Sequence, residues 1–292
     1  MRARRVLVTG AGGKTGRAVL RALTAEDTPA RALVRDRERH RDLLQLGDVE
    51  VVVGDQRDAD ALVAAMDGCD AIYHIAPNVT PDELPMGEAV LAACQRAGIT
   101  RLVFHSVADP HEPAMPHHAD KGVVETWIMA TDLAWTILRP NAYLQNLDGY
   151  LDDLLAGRYR VPYAVDRGLA LVDLREVAEV AAGAVTGRLE GAVAAIWELA
   201  GPATVTPADV AEVAGQVLGR SVVAERQEPD AWLAEAEAAG LPADARSRLH
   251  RMFRHYDRHG FPGDASTLRS LLGREPTDLR SYLRERLSTA SA

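Results

Sequence analysis

The sequence predicts an α/β protein: a Rossmann-type, doubly wound parallel sheet with a smaller, mostly helical C-terminal region. Short β-branched runs alternate with helical stretches from Arg4 to Leu138, the spacing of βαβ units. A glycine-rich turn stands between the first run and the first helix. After Arg139-Pro140 the alternation loosens, and from Val222 onward the chain reads as mostly helical and polar.

Taken in order, Arg4 to Thr9 is a short apolar run that stops at glycine, the mark of a buried strand. Gly16 to Leu23 reads as a helix and Ala30 to Val34 as the second strand. Asp36 to Leu46 is charged and predicted helical. Val49 to Val53 is the third strand, and Asp58 to Met66 the helix after it. Ala71 to Ile75 is the fourth strand, followed by a helix over Pro85 to Ala97 that stops at Gly98. Leu102 to Ser106, a helix over Lys121 to Thr131, and Trp135 to Leu138 complete six strands. Beyond them, Leu174 to Val185 is an Ala/Val-rich helix and Ala194 to Leu199 a further strand. Thr206 with Pro207 opens another helix, as N-cap and first helical residue.

The 292 residues are 47% hydrophobic and 26% charged, a globular composition. A formal net charge of -9 argues against nucleic acid as the main partner, since phosphate binding needs a basic surface. Cys69 and Cys94 form neither a metal-ligand cluster nor a disulfide framework, so no metal is expected and a reducing, cytoplasmic setting is. The apolar run after Met1-Arg2-Ala3-Arg4-Arg5 is too short for a signal peptide, and no run is long enough to span a membrane. Lysine occurs only at Lys14 and Lys121, while arginine supplies the rest of the 33 basic residues. In so arginine-biased a chain, a retained lysine marks chemistry that needs a compact charge, unless the two are there by chance.

Gly10, Gly13 and Gly16 space the turn Thr9-Gly10-Ala11-Gly12-Gly13-Lys14-Thr15-Gly16 as G-x-x-G-x-x-G between strand and helix. Glycine permits a tight turn and close approach of backbone to a diphosphate, and the helix start beyond it offers N–H groups and the positive end of a dipole. Gly10, Gly12, Gly13, Lys14, Thr15 and Gly16 are therefore candidate dinucleotide-binding residues. An NAD-type site carries an acidic residue at the end of the second strand. Here that strand ends in Arg35, suited to clamp a ribose 2′-phosphate, with Arg37, Arg39 and Lys14 nearby. This favours NADP(H), with NAD(H) as the alternative through Asp36. Asp55 and the adjacent Gln56 follow the third strand and are candidates for the adenine end, although a helix N-cap is the ordinary role for such an Asp. Ala76, Pro77 and Asn78 follow the fourth strand at the end where ligands sit: the first two as cofactor lining, Asn78 toward the substrate. Residues 1–145 thus form an NAD(P)-binding domain, with 170–200 completing its sheet, and 146–169 with 201–292 a substrate-binding cap.

The loop, Leu33-Val34-Arg35, Gly54-Asp55 and Leu138-Arg139-Pro140-Asn141-Ala142-Tyr143-Leu144-Gln145-Asn146 together resemble the NmrA-like branch of atypical short-chain dehydrogenases. Val172-Asp173-Leu174-Arg175-Glu176-Val177-Ala178 is similar to its mid-chain helix opening, and Leu271-Leu272-Gly273-Arg274-Glu275-Pro276 resembles its C-terminal Gly-Arg-x-Pro stretch. The resemblance spans nearly the whole chain. It implies the fold and an NAD(P) cofactor, and leaves the activity divided. Some members are NAD(P)H-dependent reductases of quinones, dyes or natural-product double bonds, and others are redox-sensing regulators that bind NADP.

Typical short-chain dehydrogenases pair a Ser with a Tyr-x-x-x-Lys helix, the tyrosine exchanging a proton as hydride moves. Ser106 and Lys121 stand where that Ser and Lys would be, and His117 stands where the Tyr would be. Lys121 is assigned to the nicotinamide ribose, His117 to proton donation and Ser106 to the carboxamide or substrate carbonyl. A strand-end cap for Ser106 and an exposed polar loop for His117 and His118 are the ordinary alternatives. Backbone at Pro140 and Asn141 is assigned to the nicotinamide amide, and Tyr143 to the substrate. Met252, Phe253 and Tyr256 share one helical face in a region that covers the pocket in the resembling family, so Phe253 and Tyr256 are substrate candidates, with core packing as their alternative. The expected function is an NADPH-dependent reductase of a small quinone, enone or other conjugated carbonyl. A cofactor-sensing regulator acting through a protein partner, or an NAD(P)-dependent isomerase or lyase, stands as the alternative, and a homodimer is left open.

Overall fold

In the computed structural model, residues 5–290 are described. Arg4, expected to start the first strand, lies outside them. The strands β1 (Val6–Val8), β2 (Ala30–Val34), β3 (Val49–Val53), β4 (Ala71–His74), β5 (Arg101–His105), β6 (Ala134–Pro140) and β8 (Ala195–Leu199) form one sheet in the order β3-β2-β1-β4-β5-β6-β8. β1 lies parallel to both neighbours, Val6 facing Ala30 on one side and Ala71 on the other. Val6, Leu7 and Val8 are fully buried, which is why they read as an unbroken apolar run rather than an alternating one. At the far edge, Ala194 N donates to Trp135 O and Asn141 N to Leu199 O, a register that climbs in one direction and so makes β8 parallel to β6. The order reverses between β1 and β4, the position where open α/β sheets leave a crevice at their carboxyl ends.

Five helices connect or flank these strands: α1 (Lys14–Ala25), α2 (Ala59–Met66), α3 (Glu83–Ala97), α4 (Pro116–Met129) and α6 (Leu174–Thr186), α5 being the short Leu151–Leu155. Asp58 caps α2, accepting from Asp60 N at 2.9 Å and Ala61 N at 3.1 Å. α3 ends on Gly98 at φ 68, whose N–H bonds to Cys94 O. One apolar core joins Ile72, Leu102 and Phe104 of the sheet to Val90 and Ala93 of α3 and Val124 and Ile128 of α4.

The chain divides into two compact units. The first comprises Met1–His111, His117–Arg139 and Arg175–Trp197. The second comprises Glu112–Pro116, Pro140–Leu174 and Glu198–Ala292. Within the second, β7 (Arg158–Val161) pairs in parallel with β9 (Val223–Arg226). The same unit holds α7 (Pro207–Leu218), α8 (Pro229–Ala238), α9 (Ala243–His259), α10 (Ser266–Leu272) and α11 (Leu279–Ala290). Thr206 opens α7 as anticipated, in a capping box with Asp209.

Two expectations are corrected. Asp36 to Leu46 is not an α-helix: only Arg41–Gln45 is helical, and as a 3-10 turn. Asp36 Oδ1 accepts from Arg39 N at 3.1 Å, closing a local turn that competes with a helix. α4 begins at Pro116, not at Lys121, with proline at the helix start where its missing N–H costs nothing. His117 and His118 are therefore buried helical residues, not exposed loop residues. The region from Val222 is mostly helical as expected, α8 to α11, and its strand, β9, is like β7 four residues long and too short to show an alternation.

Candidate functional site

The loop after β1 is shaped by three glycines with different duties. Gly10 sits at φ 57, and a Cβ there would lie 2.8 Å from both the Ile75 carbonyl oxygen and Cγ2, so β1 and β4 close together only over a bare backbone. A Cβ on Gly16 would lie 2.4 Å from Gly10 O. Gly13 N donates to Gly10 O at 3.0 Å, closing the turn. The first helical bond is Arg17 N to Gly13 O, so the N–H groups of Lys14, Thr15 and Gly16 precede the ladder, and Gly13 has no side chain to cap them. A helix start without a side-chain cap, behind a glycine crossing, fits the diphosphate of a dinucleotide.

Side chains around the loop secure it. Thr9 Oγ1 meets Ile75 N at 3.0 Å, Ile75 O at 3.2 Å and His74 Nδ1 at 2.9 Å, stitching the ends of β1 and β4 together. With its amide oriented to satisfy both neighbours, Gln56 donates to Ile75 O at 3.2 Å and accepts from Gly10 N at 3.1 Å. Gln56 therefore supports the loop's backbone. Beyond β2, Arg35 is exposed, as are Arg37 and Arg39. Asp36 turns to Arg39 N. Asp55 is held by Arg57, through its N–H at 2.9 Å, Nε at 3.0 Å and a terminal nitrogen at 2.7 Å. Those bonds, with a smaller contribution from the Arg35 charge, bring the Asp55 carboxyl down to about 2.

Beyond β4, Ala76 is buried while Pro77 and Asn78 are exposed. Val79 next to them holds φ 55 while buried, a left-handed conformation a β-branched residue adopts only under constraint.

The corner between β5 and α4 is built of buried charge. Ser106, just past β5, donates its hydroxyl to Glu125 Oε1. Arg139 reaches the same carboxylate with Nε at 3.1 Å and a terminal nitrogen at 2.6 Å. Glu125 is fully buried, so its charge depends on these partners. Lys121 Nζ bonds Glu83 Oε1 at 2.9 Å and lies 5.5 Å from the centre of the Phe104 ring. His74 stacks on the same Phe104 ring, centroids 5.7 Å apart at 22°. Burial, with the Lys121 charge added, pushes both His74 and His105 down to about 3, so both are neutral at physiological pH. Tyr73 Oη and His105 Nδ1 are hydrogen-bonded. His117 lies one helical turn before Lys121, its ring 4.6 Å from that of His118, whose Nδ1 meets Ala108 O at 2.9 Å.

The remaining candidates belong to the second unit. Pro140, the last residue of β6, opens its Pro140–Leu174 segment. Asn141 is buried, donating to Pro262 O at 3.0 Å and accepting from Ala142 N at 2.8 Å. Tyr143 bridges Val172. Phe253 stacks on Tyr163 at 6.2 Å and meets Trp232 edge-on at 4.8 Å, and Tyr256 contacts Tyr163 at 5.9 Å and Phe261 at 5.2 Å. These contacts make Phe253 and Tyr256 part of an aromatic cluster. Sequence reasoning missed Thr9, Glu83, Glu125 and the role of Arg139. Glu125 stands four residues after Lys121, a spacing that shares a helix face and could have drawn notice. Glu83, 38 residues before Lys121, left no local signal.

The comparisons with known proteins agree with this architecture. The family model described as "NmrA-like family" matches residues 2–283. An NAD(P)H azoreductase of Xenophilus azovorans is 30% identical over 220 residues, 74% of this chain and 75% of that protein. A (4-alkanoyl-5-oxo-2,5-dihydrofuran-3-yl)methyl phosphate reductase of Streptomyces griseus is 34% identical over 231 residues, 77% of this chain and 78% of that one. The crystal structure of an NADPH-dependent quinone oxidoreductase from Escherichia coli, complexed with NADPH, superposes with a TM-score of 0.83 at 22% identity, over 98% of this chain and 100% of that one. With a match across nearly its whole length and the glycine crossing and strand order described above, the chain belongs to the NmrA-like family.

Proposed function

We propose that the protein is an NADPH-dependent oxidoreductase that reduces a small quinone, enone or other conjugated carbonyl. Its azoreductase and furanone-phosphate reductase relatives support the reaction class. The observation that carries the choice of NADPH is the fate of Asp36. The carboxylate that would hold a ribose 2′-hydroxyl is turned into its own backbone at Arg39 N, and Arg35 is left exposed at the strand end. Two cysteines without a disulfide, Cys69 and Cys94, fit a cytoplasmic setting.

A nicotinamide held by Lys121 and Ser106 would supply the hydride. The N–H groups at the start of α1 bind the diphosphate. Lys121 has three donors, of which Glu83 takes one and aims the others, suiting it to the ribose hydroxyls. Ser106 gives its hydroxyl proton to Glu125, so its oxygen remains as an acceptor for the carboxamide. His117 delivers a proton to the substrate oxygen, the task of the tyrosine it replaces. Within the first unit, Asn78 is the substrate contact.

The test is calorimetry with NADPH and NADH, then NADPH consumption against a panel of quinones and enones. NADPH is expected to bind the more tightly, and Lys121→Ala to lower turnover by about a hundredfold while weakening NADPH binding far less. Tight NADPH binding with no turnover on any panel member would replace the reductase by a cofactor-sensing protein.

A further inference from the structure

The segment that follows β2 runs from Arg35 at the strand end to His40, whose ring lies on the phosphate loop itself. A Cβ on Gly12 would come within 2.6 Å of both Cε1 and Nε2 of His40, so the ring occupies the space a side chain at position 12 would fill. Arg17, in the first turn of α1, holds it there. The Arg17 guanidinium donates from Nε to Gly12 O at 3.0 Å and from a terminal nitrogen to His40 Nδ1 at 3.2 Å. It also pairs with Asp42 through both terminal nitrogens, one of them 3.2 Å from Oδ1. A guanidinium can only donate, so His40 Nδ1 accepts, and the neutral ring carries its proton on Nε2. That nitrogen is the one set against Gly12.

Two features of the segment give this donor a use. A ribose held between a glycine loop and the end of the second strand has Arg35 on one side and the loop on the other. Asp36, the acidic side chain next to Arg35 in sequence, is turned away to Arg39 N. A fixed N–H on the loop, with an exposed arginine at the strand end, suits a group with several acceptor oxygens better than a ribose hydroxyl.

We infer that His40 is a cofactor-discriminating residue, whose Nε2–H donates to the phosphate on the adenosine ribose of NADP(H) opposite Arg35. Arg17 is its positioning residue, fixing both the tautomer and the ring against Gly12. The inference rests on the proposed reading of an NADP(H) site and extends it to a residue that no glycine or strand-end pattern points to.

The test uses the full chain and calorimetric titration with NADP+, NAD+ and the fragment 2′,5′-ADP. His40→Ala is expected to weaken NADP+ and 2′,5′-ADP by about tenfold and to leave NAD+ within about twofold. His40→Gln, which keeps an N–H at a similar reach, is expected to recover part of the loss, and thermal melting of both variants reports whether they fold. If His40→Ala and His40→Gln fold and bind NADP+ as the wild type does, or lose NADP+ and NAD+ equally, the role of His40 is overturned while the site stands. If the wild type binds neither dinucleotide, the cofactor reading is overturned, and this inference falls with it.

Discussion

The glycine loop after β1 and the corner of Ser106, Lys121, Glu83 and Glu125 are parts of one unit, yet they are made of different materials. The loop is backbone: its shape follows from where a Cβ cannot fit, as at Gly10 and Gly16. The corner is side chain: two buried carboxylates hold a serine, a lysine and an arginine that are far apart in sequence. A backbone device tolerates change at its surface and fails when a single atom intrudes. A buried-charge device fails when either partner of a pair is removed, because the other is left in a medium that cannot solvate it.

Removal of a corner carboxylate has the largest expected effect. Glu125→Ala leaves Arg139 without its buried partner and is expected to lower the unfolding free energy by about 3–5 kcal/mol in urea denaturation. Glu125→Gln keeps an acceptor for Ser106 and should lose less. If the alanine variant unfolds like the wild type, the corner is not held by buried charge. The loop comes next. Gly16→Ala must push a Cβ past Gly10 O and is expected to cost about 1–3 kcal/mol and to abolish NADPH binding. At Gly13 the added Cβ would sit 3.3 Å from the same oxygen, so Gly13→Ala should be much milder. Equal losses for the two variants would show that clearance is not what the loop demands of glycine.

Acid stability sharpens the contrast further. Burial holds the His74 imidazole at about 3 against an ordinary value of 6.5. Between those values the unfolded chain takes up a proton that the folded chain refuses. Stability is therefore complete above about pH 6.5 and falls as the pH is lowered, by about 1.4 kcal/mol per pH unit for this residue. His105 behaves alike, so His74→Phe should make the acid limb of a pH series of urea midpoints shallower without flattening it. An unchanged limb would mean that His74 takes up protons freely in the folded chain. The smallest effect belongs to Asp55. Asp55 lies below its ordinary value of 3.8 through Arg57, so what it adds is present above about pH 4 and is lost toward pH 2. Its side chain is about one-third exposed, and solvent screening leaves about 0.3 kcal/mol for Asp55→Asn to remove.

Much of the fold was legible because its signals are local. Val6-Leu7-Val8 reads as buried, Gly98 ends α3, and Thr206-Pro207 opens α7, each from a few adjacent residues. The start of α4 was misplaced because Pro116-His117-His118 carries no apolar periodicity, and burial of the two histidines comes from what the helix packs against. The 36–46 stretch deceived in the opposite way. Its charges suit a helix surface, but Asp36 captured a neighbouring N–H and turned the chain. In the candidate site, Gly10, Gly16 and Arg35 could be picked out by spacing alone. Ser106 and Lys121 were found through the family pattern, while the carboxylates that engage them were not.

By itself the sequence determined the alternation of strands and helices, the crossing of backbone over glycine and the guanidinium at the end of β2. Each is set by steric and hydrogen-bonding preferences of residues within a few positions of one another. Tertiary structure alone decided that Glu83 faces Lys121, that Glu125 joins Ser106 to Arg139 and that His40 lies on Gly12. Those pairings exist because folding removes water from charged groups distant in the chain, and each desolvated charge or donor must then find its partner in space.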